Sequence, residues 1–229
     1  MKGRFRKITG EIFQVGGSGL TAAEDAAVYL LGFDGRGALV DAGCGGSVEV
    51  LLENIRAAGV DPSAIELLLI THCHFDHTGG AAEICRRLDA AVVAHRLDAV
   101  YLETANPVVT AAAWYGEKMA KVAADRTLSG KKETIRLSGR DIVAVHVPGH
   151  SPGSVVYLTE SDGQRVLFAQ DVHGPLHPDL RSNEADYRRS LKKMLALAPD
   201  ILCEGHYGVI RGKAAAADFI RQFLGRRTE

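Results

Sequence analysis

A chain of 229 residues, 46% hydrophobic and 24% charged, has the make-up of a soluble globular protein and can bury a sizeable core without disulfides or a structural metal. A formal net charge of −1 with no dense Lys/Arg cluster excludes the basic footprint of a nucleic-acid binder, and no apolar run reaches the length that spans a bilayer, so neither partner is expected. Four scattered cysteines, Cys44, Cys73, Cys85 and Cys203, form no CxxC pair and point to reduced thiols in a cytoplasmic protein; the basic N-terminus lacks an apolar leader core.

Taken in chain order, Glu11–Val15 and Val28–Phe33 are rich in β-branched and aromatic residues and bounded by glycines, which predicts strands. Ala38–Asp41 is a short apolar run ending in the turn Asp41-Ala42-Gly43. Val48, Leu51, Leu52 and Ile55 recur at helical spacing and predict a helix over Val48–Ala58 closed by Gly59. The unbroken apolar run Ile65–Ile70 predicts a strand buried on both faces. A helix over Gly80–Leu88 and a strand over Ala91–Ala94 follow. The alanine-rich stretch from Arg96 to Lys132 predicts a helical insert, broken at Asn106-Pro107. Strand character returns at Thr134–Leu137, Ile142–Val147, Val155–Leu158 and Val166–Phe168. Helices over Glu184–Leu197 and Ala214–Leu224 then flank a short strand at Ile201-Leu202. The alternation predicts a layered α/β arrangement, one domain over residues 1–229.

The chemistry concentrates in Thr71-His72-Cys73-His74-Phe75-Asp76-His77, between the buried strand and the helix beginning near Gly80. Three of the nine histidines of the chain stand here with a carboxylate, a donor set suited to zinc and similar first-row metals. Four such residues so close in sequence cannot easily ligate one tetrahedral ion, which points to two ions sharing the cluster. Alternation along an extended loop turns Cys73 away from the metals, as a small buried filler.

An HxHxDH segment at a strand end resembles the signature of the metallo-β-lactamase superfamily, whose fold is a four-layer αββα sandwich. The later ligands of that family have matches here: His150 in Pro148-Gly149-His150-Ser151-Pro152-Gly153-Ser154, Asp171 after the strand Val166–Phe168, and His206 in Gly205-His206-Tyr207-Gly208. Asp41-Ala42-Gly43 is similar to its DxG turn. Gln170 and Tyr207 stand where the family commonly has glycine. The resemblance runs from about residue 10 to about residue 210. It implies that His72, His74 and His150 hold one metal, that Asp76, His77 and His206 hold the other, and that Asp171 bridges them. A metal-bridging hydroxide would be the nucleophile, with Asp76 orienting it as the catalytic carboxylate. Asp41 would stand behind the ligands and orient one of them. The expected cofactors are two divalent ions, zinc first, with iron and manganese also accepted by these donors.

His173, Tyr207, Trp114 and Tyr115 are candidate substrate contacts: His173 follows Asp171, Tyr207 follows His206, and the two aromatics of the insert offer wide apolar area for a wall over the metals. The filled Asp171 position separates the chain from the antibiotic-cleaving members of the family, which lack it. The chain looks most like the short glyoxalase II-like hydrolases, which cleave thioesters; about 20 residues follow His206, where full glyoxalase II proteins carry a longer helical region that binds glutathione. Two alternatives share the ligand set: N-acyl homoserine lactonases, and persulfide dioxygenases with a single iron on positions matching His72, His150 and Asp171. The partner expected is a small-molecule substrate, with a homodimer as the default assembly.

Overall fold

The structure is a computed structural model that describes residues 3–169 and 171–225; Gln170 lies outside the described residues. Its first half builds a sheet of seven strands in sequence order, β1 (Arg6–Lys7), β2 (Ile12–Gly16), β3 (Val28–Phe33), β4 (Arg36–Val40), β5 (Ile65–Leu69), β6 (Ala91–His95) and β7 (Arg126–Leu128). Strands β1 to β4 pair antiparallel, whereas β4 to β7 pair parallel. Parallel pairs need crossovers, and these supply the helices α1 (Val48–Ala57), α2 (Phe75–Thr78), α3 (Ala81–Leu88) and α4 (Arg96–Thr104). The second half forms a six-stranded sheet in the order β13-β12-β11-β10-β9-β8. Its strands are β8 (Lys132–Leu137), β9 (Arg140–His146), β10 (Val155–Ser161), β11 (Gln164–Phe168), β12 (Ile201–Glu204) and β13 (Gly208–Arg211). Only β11 and β12 pair parallel, with α5 (Glu184–Leu197) as their crossover, and α6 (Lys213–Leu224) closes the chain. Among the described residues no helix is long and apolar enough to cross a membrane.

Three apolar clusters separate four layers, the αββα sandwich expected. Leu68 and Val92 face α1, α3 and α4, where Leu51, Ile55, Ile84 and Leu102 meet them. Their neighbours Leu69 and Val93 point the other way and pack against Tyr157, Val166 and Phe168 of the second sheet. Val156 and Leu167 in turn face Leu191, Met194, Ile220 and Phe223 of α5 and α6. The period of two along each strand thus decides which cluster a residue joins, and each fully buried aliphatic side chain contributes roughly 1.5–3 kcal/mol. Two buried tyrosines cross between the sheets. The Tyr29 hydroxyl of β3 donates to the carbonyl of Glu204 at 2.7 Å, and that of Tyr157 in β10 donates to the carbonyl of Ile70 at 2.8 Å.

The stretch expected to be a helical insert, 96–132, is helical only over Arg96–Thr104 and in a 3-10 turn at Ala112–Tyr115. Local hydrogen bonding overrides its alanine content: the Asn106 side chain accepts from the amides of Val108 and Val109, and Gly116 adopts φ +68°. Buried Met119 and Val122 pin the irregular segment to the core, and Arg126–Leu128 joins the sheet edge beside β6.

Candidate metal centre

The carboxyl ends of β4, β5, β11 and β12, together with the loop between β9 and β10, meet at one edge of the sandwich. Asp41 follows β4, His72–His77 follow β5, His150 lies in the β9–β10 loop, Asp171 follows β11 and His206 follows β12. Open parallel strands end here with their loops projecting, so side chains from both sheets can converge on a rigid base. Ligand atoms of His72, His74 and His150 form one group within 4.8 Å of one another, and those of Asp76, His77, Asp171 and His206 form a second. All are buried except His206, whose side chain is 32% exposed.

Hydrogen bonds on the far side of each ring decide which nitrogen faces the cluster. Thr71 donates its hydroxyl to Asp41 Oδ2 at 2.7 Å, so its oxygen accepts from His72 Nδ1 at 3.0 Å. Nδ1 of His77 donates to Asp41 Oδ2 at 2.7 Å, and that of His150 to the carbonyl of Pro175 at 2.9 Å. In the neutral form of each ring this leaves Nε2 as the lone-pair nitrogen, the state a metal ligand requires. His72 Nε2 and His150 Nε2 stand 3.2 Å apart. Two lone pairs at that distance repel, and a cation shared by both resolves the conflict. Asp171 brings the groups together: its Oδ1 is 3.0 Å from His77 Nε2, and its Oδ2 is 3.5 Å from His150 Nε2 and 3.4 Å from His206 Nε2. Asp76 Oδ2 is 3.1 Å from His206 Nε2. Among the described residues, buried His74 Nε2, His77 Nε2 and Asp171 Oδ1 lack a hydrogen-bond partner. Native folds rarely leave such atoms unsatisfied, and the set fits a pair of divalent ions.

Electrostatically the two groups differ. Burial, reinforced by the neighbouring imidazoles, holds His72 well below the usual histidine range and takes His74 down to about 3. Burial also opposes charge on His77, but Asp171, Asp76 and Asp41 outweigh it and lift its pKa well above the usual value. At His206 burial is likewise outweighed, by hydrogen bonds to Asp171 and Asp76, and the pKa rises to about 10.

The remaining sequence candidates fall around this centre. Asp41 stands behind His77, its Oδ2 2.7 Å from His77 Nδ1. Cys73 is buried in the core, its amide donating to Asp98 at 3.0 Å and its thiol contacting the Val109 carbonyl at 3.9 Å. Tyr115 packs its ring on Phe75 at 5.3 Å; burial first, and then the charge of Asp76 and a side-chain hydrogen bond to it, raise its phenol. Trp114, half exposed, meets the His177 ring edge-on at 5.2 Å. Tyr207 is 59% exposed and lies against His173, which in turn lies against His206. Glycine is required at several places around the centre, Gly205 and Gly149 among them. A Cβ at Gly205 would come 2.5 Å from Asp171 Oδ1, and one at Gly149, whose φ is +135°, would come 2.1 Å from the amide of Tyr187.

Two buried carboxylates escaped the sequence reading. Asp98 of α4 accepts from the Cys73 amide at 3.0 Å, the Ser151 hydroxyl at 2.6 Å and the Gly153 amide at 2.6 Å, tying the His72–His77 loop to the His150 loop. Glu204, at the end of β12, accepts from the amides of His206 and Tyr207 at 2.7 and 2.8 Å and from His173 Nδ1 at 2.7 Å. The available signal was a charge in an apolar setting: Asp98 inside a helix against the core, and Glu204 closing the strand Ile201–Glu204.

Comparisons with known proteins agree with this geometry. The chain is 37% identical over 142 residues to a hydroxyacylglutathione hydrolase of Anaeromyxobacter dehalogenans, a match covering 62% of this chain and 44% of that protein. The match thus spans less than half of the length of that relative. To the probable metallo-hydrolase YybB of Bacillus subtilis it is 27% identical over 175 residues, covering 73% and 74%. A class B3 di-zinc metallo-beta-lactamase from an Alaskan soil metagenome superposes with a TM-score of 0.74 at 27% identity, over 89% of this chain and 78% of that one. A Cronobacter sakazakii metallo-beta-lactamase gives 0.81 at 22% identity, over 96% and 90%, and shares the fold. With the family model described as metallo-beta-lactamase superfamily matching residues 23–206, and the αββα sandwich and its convergent histidines in place, the chain belongs to the metallo-beta-lactamase superfamily.

Proposed function

We propose that the chain is a metal-dependent hydrolase that cleaves an ester or thioester, of the glyoxalase II kind, with two divalent ions held by His72, His74 and His150 on one side and Asp76, His77 and His206 on the other, Asp171 serving both. The observation that carries this reading is the Asp171 carboxylate, placed within 3.5 Å of imidazole nitrogens from both groups. Ions bound there supply an activated water and polarise the scissile carbonyl. Zinc suits the donors best, and iron or manganese are accepted by the same set.

The chain's own residues supply the rest. Asp76 has one oxygen against His206 and lies beside the Tyr115 phenol, which places it to orient the attacking water and take its proton. The Tyr115 hydroxyl donates to Asp76 and so helps to hold that carboxylate in place. Trp114, Tyr115 and Tyr207 are three of the large hydrophobics left exposed, and they border the centre, as apolar walls for an acyl group would. The names of two relatives, a hydroxyacylglutathione hydrolase and an atrochrysone carboxyl ACP thioesterase of Aspergillus fumigatus, both denote thioester cleavage and support the same chemistry here.

The test is metal analysis of the purified protein followed by a screen of thioesters, lactones and phosphodiesters. Close to two ions per chain and turnover of a thioester are expected, with Asp76→Ala folded but inactive. One iron per chain and no zinc would sink the two-ion hydrolase and favour a mononuclear dioxygenase; undiminished turnover in Asp76→Ala would remove the role given to that carboxylate.

A further inference from the structure

Glu204 is a fully buried carboxylate that no ligand role uses. A buried carboxylate persists only where its lone pairs are filled. Those of Glu204 are filled by four N–H groups. Oε2 accepts from the amides of His206 and Tyr207, and Oε1 accepts from His173 Nδ1 and, at 3.4 Å, from the His173 amide. With four donors the carboxylate is saturated, so it braces rather than ligates, although it lies within 4.8 Å of an Asp171 oxygen.

What it braces is specific. One pair of donors belongs to the loop that carries His206 and the other to the loop that carries Asp171. The two loops leave adjacent parallel strands, β11 and β12, and glycine at position 205 lets Asp171 and His77 pack directly against the backbone between them. The carbonyl of Glu204 is itself fixed by the Tyr29 hydroxyl from the other sheet. None of these contacts reaches His72, His74 or His150.

We propose that Glu204 is the positioning residue of one metal subsite: it sets His206 directly, and the Asp171 loop through His173, for the ion shared with Asp76 and His77, and it bears on the three-histidine subsite only indirectly, through the Asp171 oxygen beside His150. The inference rests on the two-ion reading above. Partners one step behind a ligand typically change metal affinity about ten- to a hundredfold.

The experiment is a zinc titration of metal-free wild type and Glu204→Gln in the presence of a competing chelator, with the imidazole signals followed by NMR. In Glu204→Gln, His72, His74 and His150, which Glu204 reaches only through Asp171, should shift by the smaller factor in free zinc. His77 and His206 should respond only at about ten- to a hundredfold more. His173→Phe keeps the ring packing but removes one brace, and should shift the same two histidines in the same direction by a smaller factor; it carries the test if Glu204→Gln does not fold. Equal weakening of all five histidines, or no weakening, overturns the assignment while two ions in wild type leave the hydrolase reading standing. A wild type that binds one ion overturns the two-ion reading and this assignment together.

Discussion

The two halves of the metal centre are built on opposite plans. The His72–His74–His150 half is three buried imidazoles, two of them oriented by uncharged partners, the Thr71 hydroxyl and the Pro175 carbonyl. Burial, reinforced by the neighbouring imidazoles, holds His72 and His74 below the usual histidine range. The other half mixes imidazole and carboxylate, is braced by the buried acids Asp41 and Glu204, and has its one partly exposed ligand in His206. The first half is an enclosed group of imidazole nitrogens. The second half is held by charge and opens toward solvent, beside Tyr115, Tyr207 and His173, so it is the side from which a substrate would approach.

Asp171→Ala should erase this contrast. Its carboxylate reaches histidines of both halves, so zinc content should fall below two per chain and kcat/KM should drop about a thousandfold, the order lost when a preorganised charged group is removed from a reacting centre. Metal analysis alongside thioester kinetics reads both. Asp41→Asn should sharpen the contrast by weakening zinc at His77, which Asp41 touches directly, about ten- to a hundredfold, with a smaller shift at His72, which Asp41 reaches through the Thr71 hydroxyl, measured by chelator competition. Asp98→Asn is the mirror case. With its ties to Cys73, Ser151 and Gly153 impaired, the three-histidine half should loosen about tenfold, and His77 and His206 should keep their zinc response. Equal loosening of both halves in either variant would break the comparison. Trp114→Ala should have the smallest effect: a loss of about 1 kcal/mol of apolar contact raises KM about fivefold with kcat unchanged. A fall in kcat instead would place the indole at the reacting atoms rather than at the wall.

How far the sequence could be read follows from where the information sits. Strands such as Val28–Phe33 and helices such as Glu184–Leu197 declare themselves, because apolar periodicity and caps are local; Asn183 accepts from the Asp186 amide at the N-terminus of α5 as a capping residue should. The seven candidate ligand positions stood out because histidine is scarce and their spacing is distinctive, and the fold gathers them at one edge. The short edge strands Arg6–Lys7, Arg126–Leu128 and Gly208–Arg211 were not, since pairing with a neighbour, rather than pattern, makes them strands. The insert misled for the complementary reason: alanine content argues for helix, but Asn106, Gly116 and the buried Met119 decide otherwise. Asp98 and Glu204 stayed hidden because an acid is informative only once its surroundings are known to be apolar and its donors are known to come from other loops.

The tyrosine hydroxyls that pass between the sheets have a consequence for how such a centre can diverge. Tyr29 ends on the strand that leads to His206, and Tyr157 on the strand that leads to His72. Sliding one sheet over the other would break both bonds inside the core, so the spacing between ligands contributed by the two sheets is set by interior chemistry and not by the loops at the mouth. The segments around Trp114 and His177 can therefore lengthen, shorten or change composition while the ion-binding geometry stays in place. New substrates become accessible by exchange of rim residues alone, on a chassis that has no need to be rebuilt.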